Sequence, residues 1–161
     1  MRSSITRIFL KLRLRPSQLR TVADRRLDDA IALRRTGQNA RANGAIYLGG
    51  FVIECLLKAR LLEVYAWLQN APSAEGRSKD ERYLWSLCYR LHDLDAILAK
   101  LPEIAQRMSR MEQRGSNRLG QSLKSICARW TVHARYSPFS ADMHDAQAFL
   151  DQIKELVPCL K

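Results

Sequence analysis

The run Ala45-Ile-Tyr-Leu-Gly-Gly-Phe-Val-Ile-Glu-Cys-Leu-Leu-Lys58 limits what this chain can fold into more than any other segment. Its apolar positions, continued by Leu61 and Leu62, go almost all the way round a helical wheel. A helix apolar on every side has to be covered on every side, so this one belongs at the centre of a helical domain. The spacing predicts that it starts near Asn39 and reaches Leu68. Gly49 and Gly50 each cost such a helix ~1 kcal/mol relative to Ala. Close approach by a neighbouring helix would offset that cost. The uncharged stretch Ala45–Ile53 ends at Glu54, well short of the ~20 apolar residues a membrane span needs.

The rest of the chain supplies partners for that helix. After Pro16, Ser17 is a candidate N-cap. Leu19, Val22, Ala23, Leu27, Ala30 and Ile31 then keep helical spacing up to Gly37, a favourable residue just past a helix end. Residues 70–80 form a polar loop. Helices are expected over 81–91, 94–99 and 102–112, the last with Pro102 in its first turn. A turn at Gly115-Ser116-Asn117 precedes a long helix from about Arg118 to Tyr136. A final helix starts near Ser140 and turns Met143, Ala146, Phe149, Leu150, Ile153 and Leu156 inward. No alternating β pattern and no internal repeat is present. The expected fold is all-α, an antiparallel bundle of four or five helices.

The length of 161 residues fits one domain. The chain is basic, with 27 Lys+Arg against 16 Asp+Glu, a net +11. Residues 1–41 carry +8 of this, and residues 1–23 contain no acid. Within them Ile5, Ile8, Phe9 and Leu12 outline a short basic amphipathic helix. It would suit nucleic acid or an anionic membrane surface, a targeting presequence, or an extension with no function. Residues 1–22 are therefore separated from a domain over 23–161. Cys55, Cys88, Cys127 and Cys159 form no CxxC pair. Together with the lack of a secretory pattern they suggest reduced, buried thiols in a cytoplasmic protein.

Several side-chain groupings could carry chemistry. Glu54 and Lys58 have the favoured helical order for an ion pair and read as a structural pair inside the bundle. Cys88 and His92 also lie four apart. Zinc needs three or four ligands, and Cys127, His133 and His144 would join only by the accident of folding, so no metal is expected. Arg107, Arg110, Arg114 and Arg118 would cover roughly 80° of arc on an uninterrupted helix, a stripe suited to phosphates. Arg129 and His133 would share a face one turn apart. A guanidinium beside an imidazole can hold a phosphodiester and move a proton. Trp130, Arg135 and Tyr136 are close by, and aromatic rings stack on bases.

Three segments resemble the HEPN family. Ala45–Lys58 is similar to its glycine-bearing second helix with a Glu-x-x-x-Lys pair. Leu91-His-Asp-Leu-Asp-Ala-Ile-Leu98 is similar to its His-Asp-Leu element. Arg129–Pro138 resembles its fourth-helix region, and the likeness spans about residues 23–157. It implies an all-α bundle, usually a homodimer without cofactor, that is either a metal-independent ribonuclease or a non-catalytic RNA-binding subunit. Many members pair with a nucleotidyltransferase as toxin and antitoxin. Active members place four to six residues between Arg and His. Here three separate Arg129 from His133, Ala128 falls where the four-residue spacing puts Arg, and Arg135 replaces a Tyr. The resemblance thus points to a non-catalytic RNA-binding or partner subunit, with an endoribonuclease toxin using Arg129 and His133 as the alternative.

Overall fold

The computed structural model describes residues 14–71, 73–113 and 118–161. It is an all-α helical bundle, and among the described residues there is no strand. The helices are α1 (Pro16–Arg35), α2 (Ala42–Val64), α3 (Lys79–Tyr89), α4 (Leu94–Ala99), α5 (Pro102–Gln113), α6 (Leu119–Arg129) and α7 (Met143–Leu160). Single 3-10 turns sit at Asn39–Arg41, Ala66–Asn70 and Val132–Tyr136. These seven helices fall on the seven helical segments read from the sequence after Pro16, and the second and sixth are shorter than expected. The basic amphipathic segment read in residues 1–13, and the turn at 115–117, lie outside the described residues.

The all-round apolar stretch is α2, and it is the centre of the molecule. Every residue from Val52 to Ala59 is buried, including Glu54 and Lys58. Ile53, Leu56, Leu57, Leu61 and Leu62 are fully enclosed and form the core with Leu87, Leu94, Ile97, Leu123, Ile153 and Leu156. Among the described residues no helix is long and apolar enough to cross a membrane.

Helix α1 begins with Pro16 in its first turn and ends with Arg34 and Arg35, where cations favour the negative end of the helix dipole. Gly37 follows at φ +68°, a left-handed position that favours glycine. The expected boundary at 22/23 falls inside this helix. Leu19 and Ala23 are both buried against the core, so the packed domain starts before residue 22. Arg15 reaches Gln69 and Arg20 pairs with Glu63, while Leu33 lies over Gly44, so α1 and α2 run antiparallel.

Helix α7 does not continue that alternation. Asn39 and Asn43, at the start of α2, bond the backbone of Met143 and Ala141 at the start of α7. Further along, Gly49 faces Phe149 and Leu150. Helices α2 and α7 therefore run in the same direction, a departure from a fully antiparallel bundle. A reciprocal capping box between Asp142 and Asp145 fixes where α7 begins.

The four cysteines are free and buried. Burial pushes the Cys55 thiol up to about 11, helped by the Glu54 carboxylate, and pushes Cys88 and Cys127 up to about 12.

Candidate nucleic-acid interface

The region from Arg129 to Ala141 takes its shape from one tryptophan. Helix α6 ends at Arg129, and Trp130 leaves it in an extended conformation. The indole drops onto the backbone of α2 at Gly50, where an added Cβ would stand 1.8 Å from the indole Nε1. Trp130 donates that N–H to the Tyr47 carbonyl at 3.3 Å. Its ring stacks on Tyr47 and meets Phe51 edge-on. The glycine cost is therefore offset at Gly49 by α7 and at Gly50 by an inserted indole. Thr131 restarts the chain, its Oγ1 accepting from the His133 N–H to cap the 3-10 turn.

This geometry corrects the expected long helix over 118–136. Arg129 closes α6, and His133 sits in the 3-10 turn beyond an extended two-residue break. The pair does not share a helical face, so the i, i+4 relation that would align guanidinium and imidazole does not arise. Both side chains are exposed.

The arginine stripe is also divided. Arg107 and Arg110 are exposed on α5, which ends at Gln113. Arg114 lies outside the described residues. Arg118 is at the N-cap of α6 with φ 38°, a left-handed conformation incompatible with a continuous helix. No uninterrupted helix carries the four. The Arg135 side chain also lies outside what the structure describes.

Past the 3-10 turn, the chain is clamped to α2. Asn43 donates Nδ2–H to the Phe139 carbonyl at 2.7 Å and accepts from the Ala141 N–H at 2.8 Å. The Phe139 N–H donates to the Ser137 hydroxyl. The Phe139 backbone is thereby fixed, and Tyr136 and Phe139 stand at 71% and 81% exposure, the two most exposed large apolar side chains among the described residues. A separate cleft of about 450 Å³ opens between α6 and α7. Arg129, Trp130, Ala134, Asp145, Phe149 and Gln152 line it. Sequence reasoning missed Asn43, Phe139 and Asp145. The Asn39/Asn43 pair, one turn apart ahead of an apolar helix, was one available signal. The isolated Phe139 in Ser-Pro-Phe-Ser was another.

Glu54 and Lys58 form the buried pair, Nζ to Oε1 at 2.8 Å. His92 Nδ1 lies 2.8 Å from the same Oε1, and Lys58 also donates to the Leu91 carbonyl at 2.9 Å. Glu54 Oε2 is buried with no hydrogen-bond partner among the described residues. The expected Cys88–His92 face does not form: α3 ends at Tyr89, Cys88 is buried, and His92 turns to Glu54. Ligand atoms of Asp142, His144 and Asp145 lie within 4.8 Å of one another, all exposed. Asp142 and Asp145 are already used in capping α7.

Fold and surface together define an all-α protein with two exposed aromatic side chains and a cleft that Arg129 lines. The chain matches no protein-family model, no curated protein and no solved structure.

Proposed function

We propose that this chain is a non-catalytic, HEPN-like RNA-binding subunit that takes single-stranded RNA across Arg129, His133, Tyr136 and Phe139. The observation that carries the reading is the exposed ring of Phe139 on a backbone clamped by Asn43, with a second exposed ring at Tyr136 three residues earlier. Solvent-facing aromatic rings offer stacking platforms, worth about 1–3 kcal/mol per base. Arg129 and His133 leave from different elements, which favours binding over cleavage. The Glu54–Lys58 pair in a central apolar helix supports the HEPN likeness. In this reading the chain works in the cytoplasm as a homodimer or beside a nucleotidyltransferase in a toxin–antitoxin pair.

Fluorescence anisotropy of a labelled single-stranded oligoribonucleotide tests it. Phe139→Ala and Tyr136→Ala are each expected to weaken binding about 10-fold. Arg129→Ala should lower affinity and reduce the slope of log affinity against log salt by about one. Absence of binding at about 50 mM salt would overturn the proposal. So would metal-independent RNA cleavage that is lost in His133→Ala, which would favour the endoribonuclease toxin instead.

A further inference from the structure

The cleft between α6 and α7 has the build of a nucleobase pocket. Its volume of about 450 Å³ lies in the range of roughly 300–1,000 Å³ occupied by small-molecule sites. One wall is the α6 face of Ile126 and Arg129, and the other is the α7 face of Asp145 and Phe149. Trp130, 7% exposed, also lines the cleft. An apolar and aromatic interior suits the flat face of a base. Arg129 at the wall suits the phosphate that travels with it.

The polar groups narrow the choice of base. Asp145 offers a carboxylate, which only accepts hydrogen bonds when ionised. It is held in place, because its Oδ2 already accepts from the Asp142 N–H at 3.2 Å. The cap takes one lone pair of Oδ2, and Oδ1 together with the remaining lone pair of Oδ2 can still accept from two adjacent donors. Among RNA bases only guanine shows two, N1–H and N2–H, side by side on its Watson–Crick edge. Adenine and cytosine set an acceptor beside their amino group, and uracil flanks its single N–H with two carbonyls. These three would place lone pairs against the carboxylate.

We infer that the α6–α7 cleft seats one unstacked guanine of a bound RNA, read by Asp145 with its phosphate on Arg129. This deepens the RNA-binding reading and rests on it. A base splayed out of a single strand and read on its Watson–Crick edge is the usual way proteins obtain RNA sequence preference.

The test uses short labelled oligouridylates carrying one central G, A, C or U, titrated with the full chain and read by anisotropy. The G-containing probe should bind about 10-fold or more tightly than the other three. Asp145→Asn keeps a hydrogen-bond acceptor for the helix cap but replaces the second oxygen with a donor. It should remove the preference for G, weakening the G probe relative to the other three. Phe139→Ala should weaken all four probes alike. Unlabelled guanosine monophosphate should displace the G probe and adenosine monophosphate should not. Equal binding of all four probes, or a preference that survives Asp145→Asn with circular dichroism unchanged, overturns the guanine assignment and leaves the RNA-binding reading standing. Failure of all four to bind overturns both.

Discussion

At the scale of single residues, two adjacent glycines separate two kinds of close approach. At Gly49 an added Cβ meets Leu150 Cδ2 and Phe149 Cε1 at 2.9 Å, the outer atoms of side chains that can turn. At Gly50 it meets the Trp130 ring at 1.8, 2.0 and 2.3 Å. A planar indole hemmed in by Tyr47 and Phe51 cannot yield in that way. Overpacking costs typically about 1–3 kcal/mol, and more where a ring must leave its slot. Gly50→Ala is therefore expected to lower Tm by at least about 6 °C, at about 2–4 °C per kcal/mol, and Gly49→Ala by less. Near-ultraviolet circular dichroism should lose aromatic signal in the first variant alone. Equal shifts in the two would show that Trp130 does not depend on Gly50. The glycine pair could be read from sequence as a place of close approach. That the visitor at Gly50 is a tryptophan from about eighty residues away could not, because nothing local to either segment records the contact.

At the scale of elements, the bond network around Glu54 ties α2 to the segment between α3 and α4. Lys58 binds both Glu54 and the Leu91 carbonyl, and His92 binds Glu54 from the same segment. Removing one member of a buried ion pair strands the other and costs about 3–5 kcal/mol, whereas replacing both by apolar groups costs far less. Lys58→Met should thus lower the urea midpoint more than Glu54→Leu with Lys58→Met together. A double variant at least as damaged as the single one would show that the pair is net stabilising in itself. The i, i+4 spacing made this pair legible, since both residues lie well inside one helix. The same arithmetic failed for Arg129 and His133 and for the arginines at 107, 110, 114 and 118. Those sets cross helix ends, and the ends are set by tertiary features. Trp130 is drawn out of α6 towards Gly50, and Arg118 adopts a left-handed turn. Periodicity locates faces only as long as the helix continues.

At the scale of the whole molecule, the buried thiols set an alkaline limit on stability. Cys55 stands at about 11 and Cys88 and Cys127 at about 12 in the folded chain, because burial disfavours the thiolate. In the unfolded chain a thiol titrates near ~8.5. Between these values the unfolded state loses protons that the folded state keeps, so raising the pH favours unfolding. The contribution is complete below about pH 8.5 and declines from there towards pH 11–12. The acidic side has the opposite sign. Arg20 and Arg60 hold the Glu63 carboxyl below the usual carboxylate range, the hydrogen bond from Arg20 being the largest cause. That stabilisation is present above ~4.3 and is lost as the pH falls and Glu63 is protonated. Glu63 is partly exposed, so its effect is modest. The chain should therefore be most stable between about pH 5 and 8. Urea midpoints measured across the alkaline range should fall for the wild-type protein. They should fall less steeply for Cys88→Ala, which removes a thiol fully enclosed in the core. If Cys88→Ala retains the full alkaline slope, the limit comes from groups other than the core thiols.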